Sequence, residues 1–86
     1  MSGVWIFLLY EPALAVLDAQ RGMKRKRLRA AFSQLAQHPF TVPDREIHHP
    51  NERVLSVLRA GDFEIVYWLD GRVKHICITN ILRVRA

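Results

Sequence analysis

The dipeptide Asp70-Gly71 lies between two runs, residues 63–69 and 73–82, that are dense in β-branched and aromatic side chains. Asp-Gly in that setting is among the strongest local signals for a β-hairpin. A second break, Ala60-Gly61, separates residues 63–69 from an apolar run at 54–58. Three strands in succession joined by short turns form a β-meander, so this half of the chain predicts an antiparallel sheet. Such a sheet needs a layer over one face to be stable.

The first half supplies that layer. Residues 23–37 repeat Leu28, Ala31, Phe32, Leu35 and Ala36 at three- and four-residue spacing, the pattern of one helix face. His38-Pro39 ends this helix, because a residue before proline avoids the helical region. An earlier helix starts at Pro12, which suits a first turn, and carries Ala13, Leu14 and Leu17 as its apolar stripe. Gly22 breaks the chain between the two. Residues 4–10, VWIFLLY, are apolar without interruption. That reads as a strand buried on both faces, and therefore a central one. Pro39, Pro43 and Pro50 mark a loop, with a short edge strand near residues 45–48. The predicted architecture is α+β: an N-terminal strand, a two-helix hairpin, then an antiparallel β-meander, with the helices on one face of the sheet.

Composition narrows the field. With 86 residues, 50% hydrophobic and 24% charged, the chain reads as one globular domain, 1–86, with a single core. That length leaves no space for a Rossmann-type cofactor domain, and no cofactor is expected. One cysteine, Cys77, excludes an internal disulfide and any multi-cysteine zinc site, and no metal is expected. Residues 4–10 fall far short of a membrane span and make a poor signal peptide, because no basic residue precedes them and Glu11-Pro12 follows. A cytoplasmic protein with no membrane partner is the expectation. The formal net charge of +5 favours acidic or polyanionic partners.

If Asp70-Gly71 is a two-residue loop, Leu69 faces Arg72, Tyr67 faces Lys74, Ile65 faces Ile76 and Phe63 faces Ile78. This face, with Val54 and Leu58, is the expected floor under the helices. The other face takes Glu64, Val66, Trp68, Val73, His75 and Cys77. A two-residue Ala60-Gly61 loop adds Arg53, Leu55 and Val57, and strict alternation continues the face through Arg83 and Arg85.

Several residues on this frame are candidates for chemistry. Lys24, Arg25, Lys26, Arg27 and Arg29 crowd the start of the second helix, where cations oppose the helix dipole. They are candidate phosphate contacts, and a solvated helix face is the plain alternative. Trp68 beside Arg53 is a candidate base-stacking pair, against packing or burial under a partner segment. Arg83 and Arg85 are candidate phosphate contacts or a charged tail. His75 falls diagonal to Glu64 on the predicted register, so the carboxylate could orient the imidazole for proton transfer. A histidine satisfied by a neighbour is the ordinary alternative. Cys77 beside His75 lacks an orienting third residue and reads as a small buried hydrophobe. His48-His49 are adjacent, so on a strand they point apart and make a poor chelate.

The order of a strand, two helices and a proline, followed by RVLSVLRAGDFEIVYWLDGRVKHICITNILRVR, resembles the RelE/ParE superfamily of bacterial toxins over nearly the whole chain. The stretch Asp62-Phe63-Glu64-Ile65-Val66-Tyr67 corresponds to a family pattern of the form Gly-Tyr-Arg-Val-hydrophobic-Tyr. The resemblance implies an antitoxin-like partner and the toxin role in a type II toxin–antitoxin pair. In the ribonuclease branch an arginine at the position of Glu64 stabilises the phosphate during cleavage of ribosome-bound messenger RNA, so Glu64 reverses that charge. Basic residues of the preceding strand correspond to Leu55 and Val57. Arg83 falls near the family's last-strand arginine, and the family's terminal tyrosine or histidine has no counterpart before Ala86. The gyrase-inhibiting branch also lacks this set.

Three readings follow. The first is a toxin that cuts ribosome-bound RNA with Glu64, His75 and Arg83 as a non-standard catalytic set. The second is a non-catalytic module of the same fold that binds an antitoxin-like partner or gyrase. In it, that partner or a homodimer covers Leu55, Val57, Val66 and Trp68. The third is a small basic RNA-binding protein.

Overall fold

The computed structural model describes residues 4–84. In chain order its elements are β1 (Ile6–Leu9), α1 (Glu11–Ala19), α2 (Gly22–Gln37), β2 (Arg45–Ile47), β3 (Leu55–Ala60), β4 (Phe63–Asp70) and β5 (His75–Arg83). The five strands form one sheet in the order β1-β5-β4-β3-β2. β1 runs parallel to β5, and the other neighbours are antiparallel. This is the expected α+β architecture.

Local chemistry explains the helix hairpin. Pro12 sits in the first turn of α1 with Glu11, whose charge suits the positive end of the helix. At the other end, Arg25 Nη1 donates to Leu17 O at 3.0 Å, and Arg21 Nη1 donates to Asp18 O at 2.7 Å. Two cations that oppose the dipole of α2 thus serve the negative end of α1, where carbonyls lack helical partners. Gly22, at φ +59°, makes the reversal between them. Leu28, Phe32 and Leu35 of α2 and Ala13 and Leu17 of α1 are buried. They pack on Phe63, Ile65, Tyr67, Ile76, Ile78 and Ile81, so both helices cover one face of the sheet. The rings of Phe7 and Phe32 meet at 5.4 Å within this core.

Several expectations need correction. β1 is an edge strand, not a central one. Its exposure alternates: Trp5, Phe7 and Leu9 pack on the helix-side core, while Ile6 and Leu8 are exposed. An apolar run alone does not say whether both faces are covered. Second, the β4–β5 loop is 71–74 rather than Asp70-Gly71. The Asp70 carboxylate accepts the Arg72 backbone N–H, and Lys74 rather than Gly71 takes the left-handed conformation, at φ +57°. A four-residue loop results, so Tyr67 faces Ile78 and Leu69 faces Ile76. The shift is even, so faces near the turn are preserved. The β3–β4 turn is Gly61-Asp62 rather than Ala60-Gly61, another even shift that preserves the faces. Val54, expected in the core floor, lies exposed before β3, whereas Leu58 does pack against the core.

The last correction moves Arg83. A β-bulge at Thr79 lies between the pairs Tyr67–Ile78 and Val66–Asn80. Asn80 Oδ1 accepts the Ile81 N–H at 2.9 Å, and Thr79 Oγ1 donates to Val66 O at 3.3 Å. These polar side chains satisfy the backbone where the ladder is interrupted. Past the bulge the alternation reverses, so Ile81 joins the core and Arg83 pairs with Phe63 on the helix side.

Candidate functional site

The helices leave the other sheet face open. Its floor is Val57, Val66 and Cys77, which are buried although no helix covers them. Long side chains from the surrounding strands provide the cover. Arg45 on the edge strand β2 reaches across β3 to Glu64 on β4, with Nη2–Oε1 at 3.0 Å and Nε–Oε2 at 3.3 Å. This two-pronged grip fixes both carboxylate oxygens. Arg53 lays its guanidinium over the Trp68 ring at 3.5 Å from the centroid, a cation–π geometry. Its neighbour relation to Trp68 was legible from strand alternation. Toward β1 the face continues through Ile6 and Leu8, paired with His75 and Cys77.

Electrostatics follow from these contacts. The hydrogen bond from Arg45 is the main reason the Glu64 carboxyl lies below the ordinary glutamate range, with the Arg45 and Arg59 charges adding to it against partial desolvation. A carboxylate stabilised in its charged form is a weaker base. Burial pushes the Cys77 thiol up, opposed by the Tyr10 side chain. A raised thiol is protonated at neutral pH and a poor nucleophile, which fits the small buried hydrophobe expected of Cys77.

The predicted catalytic residues are not assembled. Glu64 pairs with Leu82 and His75 with Asp70, so they stand six strand positions apart, roughly 20 Å. The expected diagonal contact between them depended on the two-residue loop that the chain does not form. Arg83 lies on the opposite face from both. Leu55 is half-buried and Val57 buried, so neither offers a charge to this surface. Among the remaining candidates, Arg25 is held by Leu17 O and lies 3.6 Å from the Asp18 carboxylate. Lys24, Lys26, Arg27 and Arg29 lie on α2 in the helix layer, away from the open face. Arg85 lies outside the described residues. The bridging role of Arg45 had only an indirect sequence signal, the short edge strand that carries it.

A second concavity, about 520 Å³, lies between α2 and β3 on the helix side. Ala31, Leu35 and Leu58 give it an apolar floor, and Arg27 and His38 stand at its edge. Arg59 also borders it, but its strand position is on the open face opposite Glu64.

Comparison with known proteins finds no matching family model and no matching curated protein. Solved structures do match. One is the crystal structure of the archaeal RelE-RelB complex from Pyrococcus horikoshii, with a TM-score of 0.75 and 14% identity over 94% of this chain and 96% of that one. Another is the toxin–antitoxin complex RelBE2 from Mycobacterium tuberculosis, at 0.78 and 12% over 94% and 99%. The intact Escherichia coli RelBE toxin–antitoxin complex matches at 0.72 and 12% over 95% and 99%. The class of fold is therefore the α+β fold of the RelE-type toxins, and the resemblance read from the sequence holds at the level of structure. At these identities the likeness concerns the fold.

Proposed function

We propose that this chain is the toxin-side member of a toxin–antitoxin pair and that it acts by binding a protein target rather than by cutting RNA. The fold shared with RelE–RelB complexes supports the pairing. The observation that carries the binding mode is the open sheet face. Its floor is apolar, the Glu64 charge is held by Arg45, and Arg53 lies on Trp68. A phosphate in transit needs preorganised positive groups where charge develops. Here Glu64, His75 and Arg83 are divided between distant positions and opposite faces. An antitoxin-like partner with apolar side chains and an acidic group fits the second concavity, whose floor is apolar and whose edge carries Arg27.

Induced expression of the chain alone in a bacterium tests this. Growth should arrest, and Glu64→Gln, His75→Ala and Arg83→Ala should arrest it as the parent does. Trp68→Ala combined with Leu82→Lys, checked for folding by circular dichroism, should relieve the arrest. Messenger RNA mapped from arrested cells should carry no new cleavage sites. Normal growth with the folded parent would sink the toxin role. Cleavage that disappears in the Glu64, His75 or Arg83 variants would sink the binding mode.

A further inference from the structure

The composition of β1 does not match its position. It is an edge strand, yet residues 4–10 carry no charge and no proline. Sheet edges are ordinarily protected by charge, proline or shortness. Both edges are short, four residues in β1 and three in β2, but β2 also lies between Pro43 and Pro50 and carries Arg45 and Glu46. β1 instead exposes Val4 at 83%, Ile6 at 48%, Leu8 at 39% and Tyr10 at 43%. Its composition is that of a strand with neighbours on both sides.

The backbone shows which groups are free. Ile6 N–H donates to Lys74 O at 3.1 Å and Tyr10 N–H to Ile78 O at 2.9 Å, so even-numbered residues turn their backbone groups toward β5. Alternation turns those of Trp5, Phe7 and Leu9 outward. Among the described residues no strand pairs with them.

We propose that β1 pairs antiparallel with β1 of a second copy of this chain about a two-fold axis at Phe7, so that two five-stranded sheets become one. The second copy suits this edge for three reasons. The centre of residues 4–10 is Phe7, and a two-fold there pairs Phe7 with Phe7 and Trp5 with Leu9. Every outward backbone group of the segment then finds a partner, as an isologous contact requires. Ile6 falls opposite Leu8 and Tyr10 opposite Val4, so the exposed apolar side chains cover each other. The ends also match in charge. Glu11 follows β1 at one end and Lys74 flanks it at the other. Antiparallel pairing brings the Glu11 end of one copy to the Lys74 end of the other, and the strand itself sets no like charges against each other. The pairing stands apart from the toxin reading.

Light scattering coupled to size exclusion, with amide hydrogen exchange on the full chain, tests the proposal. The parent should run at twice the chain mass, and the Phe7 and Leu9 amides should be protected along with that of Tyr10. Ile6→Lys combined with Leu8→Lys sets like charges opposite each other across the axis. It should halve the mass and release Phe7 and Leu9 while the Tyr10 amide, bonded within the protomer, stays protected. A parent that is monomeric at every concentration overturns the proposal. So does a dimer whose Phe7 and Leu9 amides exchange freely, or protection that appears only when a different protein is added. If the double variant fails to fold, exchange in the parent decides.

Discussion

Glu64 is tied by two hydrogen bonds to an arginine two strands away. The sequence suggested a carboxylate that orients His75, but Arg45 holds both of its oxygens. The pair braces β2 across β3, above the buried Val57. Its contribution to stability depends on pH, and the sign follows from the lowered carboxyl. A carboxyl more acidic in the folded state favours folding above its unfolded pKa, which is about 4.3 for glutamate. That contribution is lost as pH falls through the folded value. Glu64→Gln should therefore melt below the parent at pH 7, and the gap should close below about pH 4. Thermal melts of both proteins across that range check this, and a gap that persists or widens in acid would show the pair is not its cause. Arg45 and Glu64 were each readable as charged strand residues. Their contact was not, because it spans two strand spacings and depends on registers that turn chemistry sets.

At the scale of elements, the helices and faces were legible because apolar periodicity reports burial directly. Both helices, the short β2 and the meander follow from residue spacing and turn residues. The core face of β4 was right even though the turn was wrong, because an even register shift preserves faces. The bulge at Thr79 broke that protection for Arg83. Its signal was present as two polar residues, Thr79-Asn80, inside an apolar strand, with the isoleucines stepping from Ile76 and Ile78 to Ile81. The edge position of β1 had no such signal, because an apolar run looks the same whether a second sheet partner lies in the chain or in another copy. The helix hairpin permits a sharper test. A Cβ at Gly22 would meet nothing within 4 Å, so Gly22→Ala probes the positive φ alone. It should cost about 1 kcal/mol, which lowers the melting temperature of a domain this size by about 4–8 °C. Gly22→Asn should recover part of the loss, because asparagine tolerates the left-handed region. Equal melting of parent and alanine variant would show that the connection can relax.

Over the whole molecule, charge and apolar surface are separated. The open sheet face is apolar at its floor with Glu64 and Arg53 engaged, while the densest group of cations outside the described ion pairs lies on α2. Arg21 and Arg25 are bound to α1, and none of the described ion pairs involves Lys24, Lys26, Arg27 or Arg29. Any attraction to nucleic acid should therefore act through this helix, without sequence preference and with counterion release as its driving force. If all four of these side chains meet phosphates of single-stranded RNA, log K should fall with log salt at a slope of about −2.8. Raising salt fourfold should then weaken binding about fifty-fold. Fluorescence anisotropy on a labelled oligoribonucleotide measures this, and Lys26→Glu with Arg29→Glu should flatten the slope and weaken binding at low salt. Trp68→Ala should leave both quantities unchanged, because it lies on the other face. A slope that ignores the α2 charges but responds to Trp68 would transfer nucleic-acid contact to the open face and return RNA to the centre of the protein's action.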